Sequence, residues 1–293
     1  MSDVIQEGSD EWLKDRRKYI GASDVAAILG LNPWSTEWEV AEEKRGNLLP
    51  SKSLASEAGH ALEPVVINYA ESKLGSLERK VRVVHPSLPL AASCDALTVD
   101  GRRPVEAKTS GIWGPVIGDW GAENTDEVPD YYLVQVHAQL LVTGADLAYL
   151  YALLPGRGFV GYQIERNERL YEGLSTRLAE WWDRHIIKGE PVVLDKPPSL
   201  DVVRRMKREP NKIITASDAM EELIAQRASL KAIIKEASDK LEKDIEPKLL
   251  LELGDAEGAS LKNGGKFLYL ERTRRGYTVA ETKYRQMEIK RGK

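Results

Sequence analysis

The chain has a single cysteine among its 293 residues, Cys94, which excludes an intrachain disulfide and cannot by itself hold zinc or an iron–sulfur cluster. Its four histidines, His60, His85, His137 and His185, show no zinc-like spacing and read as surface or supporting residues. No stretch approaches the ~18 apolar residues that a membrane span needs. The opening MSDVIQEGSDEW lacks the apolar core of a secretory signal, so the expectation is a cytoplasmic protein. Internal repeats and low-complexity tracts are missing as well. What remains is an ordinary globular composition, 42% hydrophobic and 30% charged, long enough for one full core and a smaller appendage. The net charge of −4 is unevenly spread: residues 254–293 hold ten Lys/Arg against five Asp/Glu, a net +5 that leaves −9 on the rest. Some of that acidity is available for a metal site.

Ser23 reads as the N-cap of a short helix from Asp24 to about Leu29, closed by Gly30. Leu62, Val65, Val66, Tyr69 and Ala70 recur at helical spacing within 54–74, with Pro64 predicting a kink or a restart. Between Val81 and Thr109 the pattern turns to strands, with Asp100-Gly101 as a hairpin signal. A Gly- and Trp-rich loop over 111–129 carries Trp113 and Trp120, which could stack on bases, close over a site or simply pack. Tyr131–Val142 is helix or strand by pattern and helix by length; Leu147–Leu154 and Phe159–Glu165 read as strands, and Glu168–Ile187 as an amphipathic helix. Lys196-Pro197-Pro198-Ser199 reads as a linker, dividing the chain into 1–195 and a C-terminal extension, 196–293. Within the extension, apolar residues three and four apart predict a helix over 217–253 folded onto its own protein, and 258–293 reads as a basic β-hairpin turning at Gly264-Gly265.

The chemistry concentrates in Pro104-Val-Glu-Ala-Lys-Thr109. On a strand, Glu106 and Lys108 leave one face while Val105 and Ala107 enter the other. Alone this pattern equally describes a strand with one solvated face. The hairpin turn adds a third residue. If Asp100-Gly101 are the two loop residues, Asp95 lies opposite Glu106; if the loop is Asp100–Arg103, Asp95 lies opposite Lys108; a three-residue loop sends Asp95 to the other face. In both even-length cases Asp95 and Glu106 are neighbours ~5–8 Å apart. Two carboxylates so close require a positive charge between them, from Lys108 or a metal. Carboxylate oxygens suit Mg²⁺, with Mn²⁺ as a substitute, and a site with few protein ligands leaves room for water and phosphate.

Asp95 followed by Glu106-Ala-Lys108 on the next strand resembles the PD-(D/E)xK nuclease core, with Cys94 where that family more often has proline. Ile20-Gly-Ala-Ser-Asp24, Gly59-His-Ala-Leu-Glu-Pro64 and Gln135-Val-His137 are similar, in the right order, to the remaining motifs of the bacteriophage lambda exonuclease and YqaJ viral recombinase group, over about residues 10–190. The resemblance implies an α/β fold with a central mixed sheet flanked by helices. It also implies a Mg²⁺ site made by Asp95, Glu106, the Ala107 carbonyl and Glu63, with Lys108 and Gln135 positioning the attacking water. A pocket for a DNA 5′-phosphate falls on Arg16, Ser23 and Ser93, or on Arg17 in place of Arg16 if the chain shifts by one. The implied activity is 5′-to-3′ hydrolysis of double-stranded DNA in phage-type recombination, by a ring-shaped trimer working with a single-strand annealing protein in a bacterial host. The extension after 195 departs from the shorter members of the group. Two rival readings are a restriction-type or Cas4-like endonuclease, the latter excluded by the single cysteine, and a DNA- or partner-binding module whose metal site has decayed.

Overall fold

A computed structural model describes residues 9–49, 54–111, 118–273, 281 and 287. They divide into two compact units, 1–210 and 211–293.

The first unit begins with α1 (Asp10–Arg16), capped by the Ser9 hydroxyl, which accepts from the Trp12 N–H at 3.2 Å. The chain then enters β1 (Ile20–Gly21), a 3₁₀ turn (Ala22–Asp24) and the four-residue α2 (Val25–Ile28). Ser23 therefore lies inside the turn and caps no helix, contrary to the reading above; the local cap is Asp24, whose Oδ2 accepts from the Gly21 N–H at 2.8 Å. Helix α3 (Glu37–Lys44) starts at Thr36, and α4 (Leu54–Leu74) runs through Pro64 without a restart, the ring sitting on its exposed side.

Strands β2 (Leu77–Val84), β3 (Leu90–Thr98), β4 (Pro104–Thr109), β5 (Leu147–Leu154) and β6 (Gly158–Glu165) build a mixed sheet with β1. The β1–β3 and β4–β5 pairs are parallel, the others antiparallel. A strand has only two edges. On β3, β2 occupies one edge from Ala91 to Thr98, so the other is shared: β1 pairs at Leu90 and Ala91, and β4 at Ala96 and Leu97. Between these two partners the sheet opens, at residues 92–95.

Helix α5 (Asp130–Thr143) ends at Gly144, whose φ of 72° closes it in the left-handed conformation. Helix α6 (Glu168–Trp182) starts at Asn167 and finishes in a π turn over Asp183–Ile187. Residues from β1, α2, α5 and α6 form the largest apolar cluster around Trp181, and α4 covers the opposite face with Val66, Ile67 and Ala70 packed on Ala96, Val105 and Ala107. The sheet is thus flanked by helices on both faces.

The division at 195 moves to 210. After α7 (Leu200–Arg204) the chain forms an antiparallel bridge with residues 47–49: Leu49 N–H donates to Arg205 O at 3.0 Å and Lys207 N–H to Asn47 O at 2.8 Å, around the Leu48–Met206 pair. A linker reading from the prolines missed this because the partner lies some 150 residues earlier in the chain.

In the second unit α8 (Asp218–Lys240), a π turn (Leu241–Ile245) and α9 (Glu246–Leu253) follow the cap at Ser217. None of their residues is buried, so the seam anticipated to fold inward stays exposed. The hairpin is shorter than 258–293: β7 (Gly258–Ser260) pairs with β8 (Lys266–Leu268) around Gly264, and Arg274 and Arg275 lie outside the described residues.

Candidate active site

The β3–β4 register pairs Ala96 with Val105 and Leu97 with Pro104, which is the two-residue-loop alternative; continued by one step, it sets Asp95 opposite Glu106. The strands bend to make this possible. Cys94 and Leu97 pack into the cluster beside α5, whereas Ala96 packs into the one beside α4, so β3 changes its facing at Asp95. On the neighbouring strand Lys80, the residue due opposite Asp95, drops out of the ladder and takes φ 54°. A lysine in the left-handed region is a local strain, placed where the ladder must distort to turn Asp95. Asp95 Oδ2 then accepts from the backbone N–H of Ala107 at 2.8 Å.

Glu106 is 3% exposed and turns toward α5, while Val105 and Ala107 face α4, as the alternation requires. Three side chains donate to its carboxylate: Lys108 and Gln135, the latter at 2.5 Å, on Oε1, and Gln139 on Oε2. Gln139 was not foreseen. It lies one helical turn beyond Gln135, fully buried, and the Gln-x-x-x-Gln spacing on one face of α5 was the available signal. Lys108 Nζ also sits 5.0 Å from the centre of the Tyr132 ring.

The electrostatics follow from burial. Burial raises the Asp95 pKa well above the usual carboxylate range, and the charges of Glu106 and Glu63 push it further, more strongly than Lys108 and the Ala107 N–H pull it down. Burial opposes the charge of Lys108, but Glu106 and Asp95 outweigh it and raise its pKa, so the ammonium persists at neutral pH. Burial and the same two carboxylates raise the Cys94 thiol, which excludes a reactive thiolate.

A cation fits this arrangement. With the Ala107 carbonyl, Asp95 and Glu106 offer hard oxygen donors only. Each carboxylate oxygen has about two lone-pair sites. Among the described residues, Oε1 of Glu106 is occupied by two donors, whereas its Oε2 and the Asp95 Oδ1 retain capacity. No three His, Cys, Asp or Glu side chains among the described residues gather closely enough to hold a metal by themselves. Glu63, on α4, reaches Asp95 through its charge and does not complete a three-carboxylate cluster.

The residues assigned to the phosphate pocket divide. Arg16 and Ser23 line a common cleft of about 290 Å³ with Trp34, Glu39, Glu43 and Arg205. Arg16 is held by Asp24 Oδ1 at 3.0 Å, and Asp24 is also paired with the buried Lys44 at 2.5 Å. Burial would raise the Asp24 pKa, but Lys44 and Arg16 outweigh it and bring it from 3.8 to about 2. Ser93 is exposed on β3, outside this cleft. Because β1 runs parallel to β3, Ser23 and Ser93 each lie three residues past a paired position, Ile20 and Leu90. The alternative Arg17 instead lies against Gly46. Trp120 packs on Tyr132 and Tyr162, with ring centres 5.6 Å apart in each case, so it is a packing residue; Trp113 lies outside the described residues. His137 and His185 are buried, not on the surface.

Residues 11–146 match the family model described as the YqaJ-like viral recombinase domain. The protein YqaJ of Bacillus subtilis (strain 168) is 32% identical over 264 residues, covering 87% of this chain and 81% of that protein. Among solved structures, an alkaline exonuclease (LHK-Exo) from Laribacter hongkongensis aligns over 61% of this chain and 94% of its own, at 18% identity and a TM-score of 0.49. A phage-related exonuclease from Haemophilus somnus 129PT aligns over 59% and 96%, at 16% identity and a TM-score of 0.44. Identity at this level along most of both chains makes the conclusion plain: the chain belongs to the YqaJ-like viral recombinase family.

Proposed function

We propose that the chain is a Mg²⁺-dependent nuclease that degrades duplex DNA 5′ to 3′ from phosphorylated ends, exposing 3′ strands for homologous recombination. The observation that carries this reading is the meeting of Asp95, Glu106 and Lys108 beside the opening in the sheet, where a half-buried and a buried carboxylate repel each other and one ammonium persists. Membership in a viral recombinase family supports a phage-type nuclease.

Asp95, Glu106 and the Ala107 carbonyl would hold the metal, and Mn²⁺ offers the same hard-ligand chemistry. Bound there, it would supply Lewis-acid polarisation of the scissile phosphate and an acidified water. The chain's own residues do the rest. Gln139 and Gln135 fix the Glu106 carboxylate from one helix, so its orientation is set before substrate arrives. Lys108, charged and seated against Tyr132, is placed to orient water or to offset charge building on phosphate oxygens. Arg16, held by Asp24, would take the terminal phosphate, with Ser23 beside it and Ser93 at the sheet opening.

By family, the working form is a ring-shaped trimer around DNA, with a single-strand annealing protein as partner and the host cytoplasm as location. No helix among the described residues is long and apolar enough to cross a membrane. The test is digestion of linear against closed circular duplex in Mg²⁺ and in EDTA, with the label at the 5′ or 3′ terminus. Early release of 5′ label from linear DNA in Mg²⁺ alone is expected. Cutting of closed circles would favour an endonuclease, and binding without cutting a decayed module.

A further inference from the structure

The cleft that holds Arg16 and Ser23 contains a second guanidinium that no motif contributes. Arg205 reaches it from the strap after α7, beyond the 11–146 span of the family match. Its backbone is fixed on both sides, by the Leu49 bond to its own carbonyl and the Lys207 bond to Asn47, so its place in the cleft is built. Its side chain is 21% exposed and is poorly satisfied. Nη2 lies 3.5 Å from both Glu39 and Glu43, well beyond the ~2.7–2.9 Å of a good charged hydrogen bond. Its buried Nε has no acceptor among the described residues. A buried donor on a charged group is costly to leave unmade and calls for an explanation.

We infer that Arg205 is a specificity residue that joins Arg16 in gripping the terminal 5′-phosphate of duplex DNA. The inference deepens the reading above and rests on it. A terminal phosphate carries nearly two negative charges and three acceptor oxygens, against a single charge on an internal phosphodiester. Two guanidiniums on one cleft match that difference: one is steadied by Asp24 at 3.0 Å, and the other is tied only loosely, at 3.5 Å from its two carboxylates. Glu39 and Glu43 compete for Arg205 only across 3.5 Å, so a phosphate oxygen at hydrogen-bond distance would make the better contact. The geometry also explains why the chain past the core motifs doubles back to pair with residues 47–49: the strap carries a second phosphate ligand.

The test uses the full chain and matched linear duplexes ending in 5′-phosphate or 5′-hydroxyl. Initial rates give the ratio of kcat/KM for the two ends in wild type, Arg205→Gln, Arg205→Lys and Glu43→Gln. Arg205→Gln is expected to lower the ratio about tenfold, the scale of one charged hydrogen-bonding contact, with the loss falling on KM for phosphorylated DNA. Arg205→Lys keeps the charge and the tie to the glutamates but loses the fork, and should fall between. Glu43→Gln should hold the ratio at or above wild type. A merely structural Arg205 predicts that both ends slow together with a lower Tm, or that Glu43→Gln lowers the ratio as Arg205→Gln does; either result overturns the proposal. A wild-type ratio near one would sink the end-reading function itself, and Arg205 with it. A preserved ratio in the Arg205 variants, on an enzyme that does prefer phosphate, would sink Arg205 alone.

Discussion

At Asp24 one buried carboxylate balances two cations, with Arg16 at 3.0 Å and Lys44 at 2.5 Å. Removing its charge by Asp24→Asn leaves Lys44 buried and unpaired, so a loss of ~3 kcal/mol in unfolding free energy is expected at pH 7. The sign with pH follows from the direction of the shift. A carboxyl brought from 3.8 to about 2 contributes stability above pH 3.8 and loses it as pH falls through 2, ~2 kcal/mol in all. The gap between wild type and variant in denaturant melts should accordingly narrow between pH 4 and 2, and a gap that stays constant would contradict the pairing. The opposite balance holds at Asp95, where burial and Glu106 disfavour the charge. Asp95→Asn should therefore abolish hydrolysis yet leave the metal-free Tm at or above wild type, and Mg²⁺ should raise the wild-type Tm but not the variant's. A Mg²⁺ shift of equal size in both proteins would remove Asp95 from the metal site.

The element that bends to build the site is the β2–β3 ribbon, and its distortion is testable at Lys80. A lysine at φ 54° costs ~1–2 kcal/mol against glycine in the same conformation, partly offset by glycine's greater freedom when unfolded. Lys80→Gly should thus stabilise the protein by ~0.5 kcal/mol, while β-branched Lys80→Val, unable to adopt that conformation, should destabilise it and lower turnover by returning β3 to a regular ladder. If Lys80→Val is as stable and active as wild type, the distortion does not position Asp95. The strands themselves were legible, because period-two alternation and the Asp100-Gly101 turn fix both the face of Glu106 and one of a few registers. Pairings that span long stretches of chain were not. Nothing local reveals that β1 and β4 share one edge of β3, that Lys80 leaves the ladder, or that 205–207 returns to 47–49. Ser23 caps no helix because its neighbour Asp24, a better acceptor spaced three residues from Gly21, takes the backbone N–H.

For the whole molecule, the division at 210 separates two roles that a division at 195 would mix. Residues 196–210 belong to the first unit through their backbone bonds to 47–49, so a chain ending at 210 should fold and melt as the first unit does. One ending at 195 exposes the Leu48 edge, deletes Arg205 and should melt several degrees lower. The second unit carries the basic hairpin residues Lys262 and Lys266 and, just beyond it, Arg272, in a segment of net +5 on a chain whose remainder is −9. Cations that track duplex phosphates release condensed counterions, and each contact adds ~0.9 to the slope of log affinity against log salt. Comparing the full chain with 1–210 for binding to a long duplex in EDTA, where no strand is cut, isolates this term from catalysis. If the tail contacts DNA through Lys262, Lys266 and Arg272, the slope should fall by about 2–3, one step for each of these three cations. End preference, proposed above to rest on Arg16 and Arg205 in the first unit, should survive the same truncation. An unchanged slope would assign the basic tail to a solvated or protein-docking role, and a loss of end preference at 210 would mean that the phosphate cleft needs the second unit to form.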